Sequence, residues 1–188
     1  MKTKLHLLFI LCAPLFFMAC NNDNVETFDE LWRVENEAQF ARVTMNTEEF
    51  TRIESLTGNG HIMYRVLQEG SGERSPFSTE RVGIRYVGWF KNNWSMPATF
   101  LNDRGRLITN KIIFDSTNNR GAGNHITQFH DVNIFIPGFA DAIQHMRVGD
   151  KWEVWIPWTL GYGRQGVPNG RIRGYSTLVF EIELMEIR

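Results

Sequence analysis

Apolar and polar residues alternate along four segments of the chain. These segments lie at 62–66, 82–86, 152–156 and 178–184, and in the last one Glu181 and Glu183 stand between apolar residues. A period of two is typical of a strand with one buried and one solvent-facing side. The pattern therefore predicts an antiparallel sheet that begins near His61.

One segment between these strands has a helical period. After Pro137 and Gly138, apolar residues recur at the i, i+3, i+4 and i+7 positions, namely Phe139, Ala142, Ile143 and Met146. We expect the polar residues between them, Asp141, Gln144 and Arg147, to face away. A sheet with one apolar face and one short amphipathic helix predicts an α+β fold, with a twisted antiparallel sheet wrapped around that helix.

The residues before this domain contain two helix-start patterns. The segment 27–30, Thr-Phe-Asp-Glu, has the form of a capping box, and 46–49, Asn-Thr-Glu-Glu, precedes the apolar Phe50, Ile53 and Leu56. The Gly-Asn-Gly segment at 58–60 reads as a helix stop. The patterns predict a two-helix arm over 20–60, with a partly disordered tether as the alternative.

The first twenty residues have the pattern of an export signal. A short basic segment is followed by an apolar run from Leu5 to Ala19, which is shorter than the ~20 residues that span a bilayer. Residues 15–20 also resemble the lipobox of bacterial lipoproteins, in which the cysteine, here Cys20, is acylated. We expect a signal peptide over 1–19 and a lipid anchor at Cys20. A buried N-terminal helix and a secreted protein with a free thiol are the alternatives.

Composition and charge narrow the function further. The chain is 43% hydrophobic, too apolar for a disordered protein, and 20 Lys and Arg balance 21 Asp and Glu, which disfavours nucleic-acid binding. Signal cleavage would remove Lys2 and Lys4 and leave 18 basic against 21 acidic residues, a net charge of −3. Cys12 would leave with the signal, so the mature chain would form no internal disulfide.

Two patterns suggest chemistry that the rest of the sequence does not support. Residues 161–166 match G-x-G-x-x-G, but the dinucleotide fingerprint needs a helix to start in that loop, and no helical period follows. His125, His130 and Asp131 have ligand-type side chains, yet no second cluster completes a metal site. We expect these histidines to be structural or solvated.

Six segments together resemble the FKBP-type peptidyl-prolyl cis-trans isomerases in order and spacing. They are VGIRYVG at 82–88, IFDST at 113–117, IPGF at 136–139, MRVGDKW at 146–152, IPWTLGYG at 156–163 and STLVFEIEL at 176–184. The resemblance covers about 61–188. It implies a domain that accelerates rotation about X–Pro bonds, with proline-containing polypeptides as partners and macrolides as potential inhibitors.

The resemblance also implies the positions of the site residues. Residues expected to act at the reacting bond are Tyr86, Phe114, Asp115, Ile136 and Tyr162. Residues expected to bind the substrate are Phe129, Phe135, Phe139, Ile172 and Phe180. In this scheme Phe139 is the pocket floor, Ile136 offers its backbone N–H, Tyr162 offers its hydroxyl, and Asp115 orients Tyr86. The scheme requires no metal, cofactor or nucleophile.

Because of three departures from the family pattern, the sequence is compatible with more than one function. Phe139 replaces a tryptophan at the pocket floor, the segment 171–175 adds Arg171 and Arg173 beside the cleft, and the stretch Lys91–Lys111 is a longer hairpin or insertion. The favoured interpretation is an isomerase that assists the folding of exported proteins in a bacterial envelope. A non-catalytic chaperone or binding module is the alternative, and a structural lipoprotein is a third.

Overall fold

The structure, a computed structural model, describes residues 23–117 and 129–188. Its first element is a helix, α1 (Asp23–Met45), and a second helix, α2 (Pro137–Ile143), lies late in the chain. Neither helix of these residues is both long and apolar enough to cross a bilayer. The apolar run before Cys20, the predicted lipidation site Cys20 itself and His125 lie outside the described residues.

Nine strands are present in the described residues. They are β1 (Thr51–Glu54), β2 (His61–Gln68), β3 (Arg81–Lys91), β4 (Thr99–Leu101), β5 (Leu107–Thr109), β6 (Lys111–Ser116), β7 (His130–Asp131), β8 (Lys151–Ile156) and β9 (Leu178–Ile187). The four segments with a period of two correspond to β2, β3, β8 and β9, so their prediction as strands is confirmed.

The main sheet is antiparallel throughout its described pairs and wraps around α2. Its strand order is β1-β2-β8-β9-β3-β6, and β7 pairs with the start of β3. Gly138 of α2 lies so close to the sheet that a Cβ there would be 2.5 Å from the Ile156 side chain. The α+β fold with the sheet wrapped on α2 is therefore confirmed. We call the side of the sheet that faces α2 the inner face.

The predicted second helix of the arm is wrong. Residues 51–54 form β1, which pairs with β2 so that Ile53 lies opposite Ile62. The Gly-Asn-Gly segment is the turn of this hairpin, with φ of +73° at Gly58 and +117° at Gly60. Glycine provides such a turn at little steric cost, and the same residues also end helices, which is why the pattern was ambiguous.

Helix α1 is also longer than predicted and is not separate from the domain. It begins at Asp23, so the predicted cap at Thr27 lies within it, because residues 23–26 contain no Pro or Gly to prevent a helix. Its Trp32, Phe40 and Val43 belong to the same core as the sheet residues. The residues before His61 thus supply both a strand and a packed helix to the domain.

One expected solvent-facing residue of α2 is buried. Asp141 is only 3% exposed, because the segment after β1 covers it and the Leu56 N–H donates to its Oδ1 at 3.4 Å. The helical period had placed Asp141 on the polar side of α2. The helical pattern of apolar residues shows only the side of α2 that packs on the sheet, and it does not show a second covered side that carries a polar residue such as Asp141.

The stretch Lys91–Lys111 contains a separate hairpin of β4 and β5, as expected. Asn110 holds its base, with its Nδ2 donating to the carbonyls of Asn93, Met96 and Pro97 at 2.8–3.1 Å. Trp94 packs on the sheet side opposite α2, with its ring 6.1 Å from Trp89 and 5.4 Å from Trp155. We call Phe50, Trp89, Trp94 and Trp155 the outer aromatic cluster.

Candidate active site

The inner face carries a group of aromatic rings centred on Phe139. The Phe139 ring centroid lies 4.8 Å from that of Phe135, 5.0 Å from Phe180 and 5.5 Å from Tyr86. Phe114 reaches Phe180 edge-on at 5.4 Å. Phe139 is 2% exposed, so it forms the floor, whereas Tyr86, Phe114 and Phe135 are half-buried around it. We call these five residues the inner aromatic cleft.

A bulge in β6 lets two neighbouring residues serve this cleft. In the register of β3 and β6, Gly88 lies opposite Asp115, but Trp89 lies opposite Ile113, which leaves Phe114 as the extra residue. Consecutive residues of a regular strand point to opposite faces, and a bulge relaxes that rule. Phe114 contacts Phe180 while Asp115 contacts Tyr86, so both side chains border the cleft.

Gly88 is a site residue that the sequence analysis did not single out. A Cβ at this position would lie 2.6 Å from the Phe180 ring and 2.7 Å from the Phe114 ring. These rings rest directly on the β3 backbone, which only a residue without a side chain permits. The glycine at the end of the segment 82–88 was the available signal.

A short hydrogen bond joins the two polar groups of the cleft wall. The Tyr86 hydroxyl donates to Asp115 Oδ2 at 2.6 Å, and the Ser116 N–H donates to Asp115 Oδ1 at 2.8 Å. Thr117 fixes the backbone of Tyr86 by accepting from its N–H at 3.0 Å and donating to its carbonyl at 3.2 Å. The carboxylate therefore holds the Tyr86 ring in place, as the predicted orienting role requires.

Tyr162 stands at the margin of the cleft and keeps its proton. Burial raises the pKa of its hydroxyl, and the negative charge of Asp115 raises it further. An influence of Asp115 on Tyr162 requires that the two groups be near each other. The Tyr162 side chain is still 38% exposed, so its neutral hydroxyl is available as a donor to a bound chain.

Ile136 places a backbone donor at the start of α2. Its carbonyl accepts from the N–H groups of Phe139 and Ala140, both at 3.0 Å. Its own N–H makes no hydrogen bond to any group in residues 23–117 or 129–188. A backbone N–H that lacks a partner beside an apolar cleft suits a peptide carbonyl.

Ile172 is a buried residue of the rim loop, the segment 161–177. It is 6% exposed, and its carbonyl accepts from the Val167 N–H at 2.9 Å. Gly166 has φ of +66°, and a Cβ there would lie 2.3 Å from the Ile172 carbonyl oxygen. Gly166, the last glycine of the G-x-G-x-x-G pattern, therefore serves close packing within a loop.

The structure does not bring Phe129 into the cleft. The Arg188 guanidinium lies 3.7 Å from the centre of its ring, and its carbonyl accepts from Arg81. The next residue, His130, lies opposite the buried Val82 and contacts the Phe135 ring at 5.8 Å. A step of one residue along a strand reverses the face, so His130 borders the cleft instead. In the part of the chain that the structure describes, no group of three ligand-type side chains is placed to hold a metal.

The chain is similar in sequence to known proteins. The chain is 33% identical over 163 residues to the FKBP-type 22 kDa peptidyl-prolyl cis-trans isomerase of Escherichia coli K12, covering 86% of this chain and 68% of the relative. It is 29% identical over 127 residues to the outer membrane protein MIP of Legionella longbeachae, covering 68% of this chain but only 44% of that relative.

A solved structure and a family model complete the assignment. The peptidyl-prolyl cis-trans isomerase of Pseudomonas syringae pv. tomato superposes with a TM-score of 0.57 at 26% identity, covering 84% of this chain and 94% of that one. The model of the family described as FKBP-type peptidyl-prolyl cis-trans isomerase matches residues 72–185, more than half of the chain. The protein therefore belongs to the FKBP-type peptidyl-prolyl cis-trans isomerases.

Proposed function

We propose that this isomerase turns X–Pro bonds of exported polypeptides within the inner aromatic cleft. The observation that carries the proposal is the combination of an aromatic floor, Phe139, with polar groups at its margin, Asp115 and Tyr162. The proline ring of the substrate would lie over Phe139 between Phe114, Tyr86 and Phe180.

The chemistry needs no covalent step. Rotation about the X–Pro bond is slow because amide resonance raises a barrier of ~18–20 kcal/mol, and the uncatalysed reaction takes ~10–100 s. The twisted transition state has lost that resonance and is less dipolar than either planar isomer. An apolar cleft therefore binds the twisted form better than the planar forms, and such differential binding lowers the barrier.

Two donors hold the flanking backbone while the bond turns. In this proposal the Ile136 N–H and the Tyr162 hydroxyl donate to substrate carbonyls. The lack of a partner for the Ile136 N–H among the described residues and the raised pKa of Tyr162 support these roles. Asp115 accepts from Tyr86 and transfers no proton in this scheme. Its role is to fix the wall of the cleft.

The site assignment is tested with two substitutions and a control. Phe114→Ala and Tyr162→Ala are expected to lower kcat/KM for an Ala-Leu-Pro-Phe peptide by about tenfold or more, since loss of ~1.4 kcal/mol of transition-state binding has that effect. Phe77→Ala, a substitution of an exposed phenylalanine outside the cleft, is the control and should leave kcat/KM unchanged. Equal rates for all four proteins would contradict the assignment.

A non-catalytic binding module predicts another result in the same experiment. Such a protein would bind the peptide without accelerating its isomerisation, even at micromolar concentration and with an intact fold. Exchange spectroscopy by NMR separates the two cases, because it reports binding through line positions and turnover through the exchange rate.

The cleft is also proposed to accept macrolide inhibitors weakly. Phe139 keeps an aromatic surface at the pocket floor but is smaller than the indole that the family pattern has there. We expect macrolides to inhibit isomerisation, and a Phe139→Trp substitution should lower the concentration that is needed. The measured quantity is the macrolide dose that halves the isomerisation rate. An unchanged dose would show that the floor does not set macrolide affinity.

We further propose that residues 1–19 are a cleaved signal and that Cys20 carries a lipid anchoring the domain in the bacterial cell envelope. The basic start, the apolar run and the small residue Ala19 before Cys20 support this proposal, and the outer-membrane name of a relative is consistent with it. Labelling with a palmitate analogue tests it. Cys20→Ala should lose the label, whereas Cys12→Ala should keep it.

A further inference from the structure

Helix α1 contacts the rim loop through a buried asparagine. Asn36 is fully buried, and its Oδ1 accepts from the Thr177 N–H at 2.9 Å and from Trp94 Nε1 at 3.1 Å. The Thr177 hydroxyl donates to the Asn36 carbonyl at 3.0 Å. Buried polar groups that are paired in this way define one geometry, because any displacement leaves them without partners.

A second residue of α1 bonds the same loop. Trp32 Nε1 donates to the Gly174 carbonyl at 2.9 Å, and the Arg173 guanidinium lies 4.7 Å from the centre of the Trp32 ring. Asn36 in turn donates from Nδ2 to the Trp32 carbonyl at 2.8 Å. The two residues of α1 are therefore linked to each other as well as to the loop.

The bonded end of the rim loop determines where its substrate-facing residues lie. The Tyr175 N–H donates to the Gly163 carbonyl at 3.0 Å, and a Cβ at Gly174 would lie 1.8 Å from the Arg164 carbonyl oxygen. The two arms of the loop thus touch with no space between them. Displacement of Gly174 would move Tyr162 on one arm and Ile172 on the other.

Trp32 also supports the opposite wall of the cleft. Its ring meets the Phe90 ring edge-on at 6.1 Å, and Phe90 stacks on Phe114 at 6.2 Å. Trp32 and Phe90 are 6% and 3% exposed, so the contact is closed to solvent. One side chain of α1 therefore reaches both the loop and the wall that border the substrate site.

We propose that Trp32 and Asn36 are positioning residues of the isomerase, through which α1 sets the width of the proline cleft. They act on substrate affinity by holding the Gly174–Thr177 end of the loop and, through Phe90, the Phe114 wall. This inference rests on the proposed location of the active site. Its consequence is that α1 belongs to the catalytic unit.

The test uses two substitutions of α1 in the full-length protein. Trp32→Phe keeps a ring against Phe90 but removes the N–H that bonds Gly174. Asn36→Ala removes the Oδ1 that accepts from the Thr177 N–H and from Trp94 Nε1, while its backbone carbonyl still accepts from the Thr177 hydroxyl. Each should raise KM for the Ala-Leu-Pro-Phe peptide about two- to tenfold, the range expected for loss of one or a few hydrogen bonds, with a smaller change in kcat. The peptide Kd from an NMR titration should rise in parallel.

Asn110→Ala is the matched control. Asn110 is also a buried asparagine that bonds several backbone carbonyls, but it holds the β4–β5 hairpin and makes no described contact with the rim loop. Its substitution should lower the unfolding temperature without changing KM or Kd. Measurements at 10 °C keep destabilised variants folded, and Trp32→Phe remains informative if Asn36→Ala does not fold.

The outcomes separate this inference from the proposed function. A raised KM and Kd in the α1 variants alone supports the positioning role, whereas unchanged values, or an equal rise in Asn110→Ala, overturn it. An inactive wild-type protein would contradict the proposed function. The peptide Kd of the variants would then still decide whether α1 positions the cleft.

Discussion

Both faces of the sheet are rich in aromatic side chains, but they differ in whether the polar groups beside the rings are buried and bonded or available to a ligand. In the outer aromatic cluster, the Trp94 N–H is bonded to Asn36, which is fully buried. Beside the inner aromatic cleft, the Tyr162 side chain is partly exposed, and the Ile136 N–H has no partner among the described residues.

This difference separates a core from a binding site. Rings that close over satisfied polar groups stabilise the fold, and rings that lie beside available donors present a surface for a ligand. Aromatic content alone does not distinguish the two, because both faces have T-shaped and tilted ring pairs at similar distances.

The largest expected effect comes from deleting one ring on each face. Phe139→Ala and Phe50→Ala each remove a buried phenylalanine, and each should lower the free energy of unfolding by about 3–5 kcal/mol in urea denaturation. Only Phe139→Ala should abolish isomerisation per folded molecule. Loss of activity in both variants would show that the cleft and the outer face do not differ in function.

A smaller effect is expected from removing one hydroxyl on the inner face. Tyr86→Phe deletes the bond to Asp115, which should cost about 1.5–3 kcal/mol of stability because the acceptor is charged, and kcat/KM should fall with it. Tyr64→Phe is the control, since Tyr64 stacks on Trp152 and its hydroxyl has no partner in residues 23–117 or 129–188. Thermal unfolding and peptide kinetics are measured for both variants. If Tyr86→Phe changed stability and kcat/KM only as much as Tyr64→Phe does, the role of Asp115 in fixing the cleft wall would be refuted.

The raised pKa of Tyr162 predicts a pH dependence. In the folded protein this hydroxyl binds its proton more tightly than in the unfolded chain, so its stabilising contribution is complete below the ordinary value of about 10 and is lost as the pH rises above it. The isomerisation rate should therefore stay constant from pH 7 to about pH 10, because Tyr162 keeps its proton over this range. Asp115→Asn should lower the pKa, detected by absorbance at 295 nm relative to Tyr162→Phe; an unchanged titration would exclude the influence of Asp115.

The smallest effect is expected from removing the positive charge of Arg171 in the rim loop. Arg171 is exposed beside the buried Ile172, so Arg171→Ala should leave stability within about 0.5 kcal/mol. It should lower kcat/KM only for a peptide with Glu near the proline, by about twofold at low salt, because surface charges are screened over ~10 Å at 0.1 M. Arg104→Ala, in the β4–β5 turn, is the control; equal kinetics for both variants would assign Arg171 no role in selectivity.

The sequence was informative wherever contacts follow a period. The strands around Tyr86 and Phe180 and the face of α2 that carries Phe139 were predicted, because burial on one side imposes a regular pattern. The family motifs also predicted that Phe114, Asp115 and Tyr162 belong to one site. The bulge that turns both Phe114 and Asp115 toward the site is not visible in a period of two.

The sequence was less informative about contacts between distant segments. Asn36 is one of many polar residues of α1, and the sequence around it does not show that it bonds Thr177. The glycine at position 88 is visible in the sequence, but the two rings that need its missing side chain are not. Phe129 was predicted to bind the substrate, but its neighbour His130 contacts Phe135, and a local pattern does not show which of two adjacent residues faces the cleft. These features depend on tertiary packing, which the local pattern does not encode.

The bond between Asn36 and Thr177 has a consequence for the order in which the protein assembles. The two residues are 141 positions apart, and bringing such distant segments together costs loop entropy that is recovered only after contact. During synthesis, α1 precedes every strand of the sheet, but its partners in the rim loop are made after β8. A nascent chain that stops before Gly174 would contain α1 and its partner Trp94, but it would lack Gly174 and Thr177, so the bonds between α1 and the rim loop form only after these residues are made.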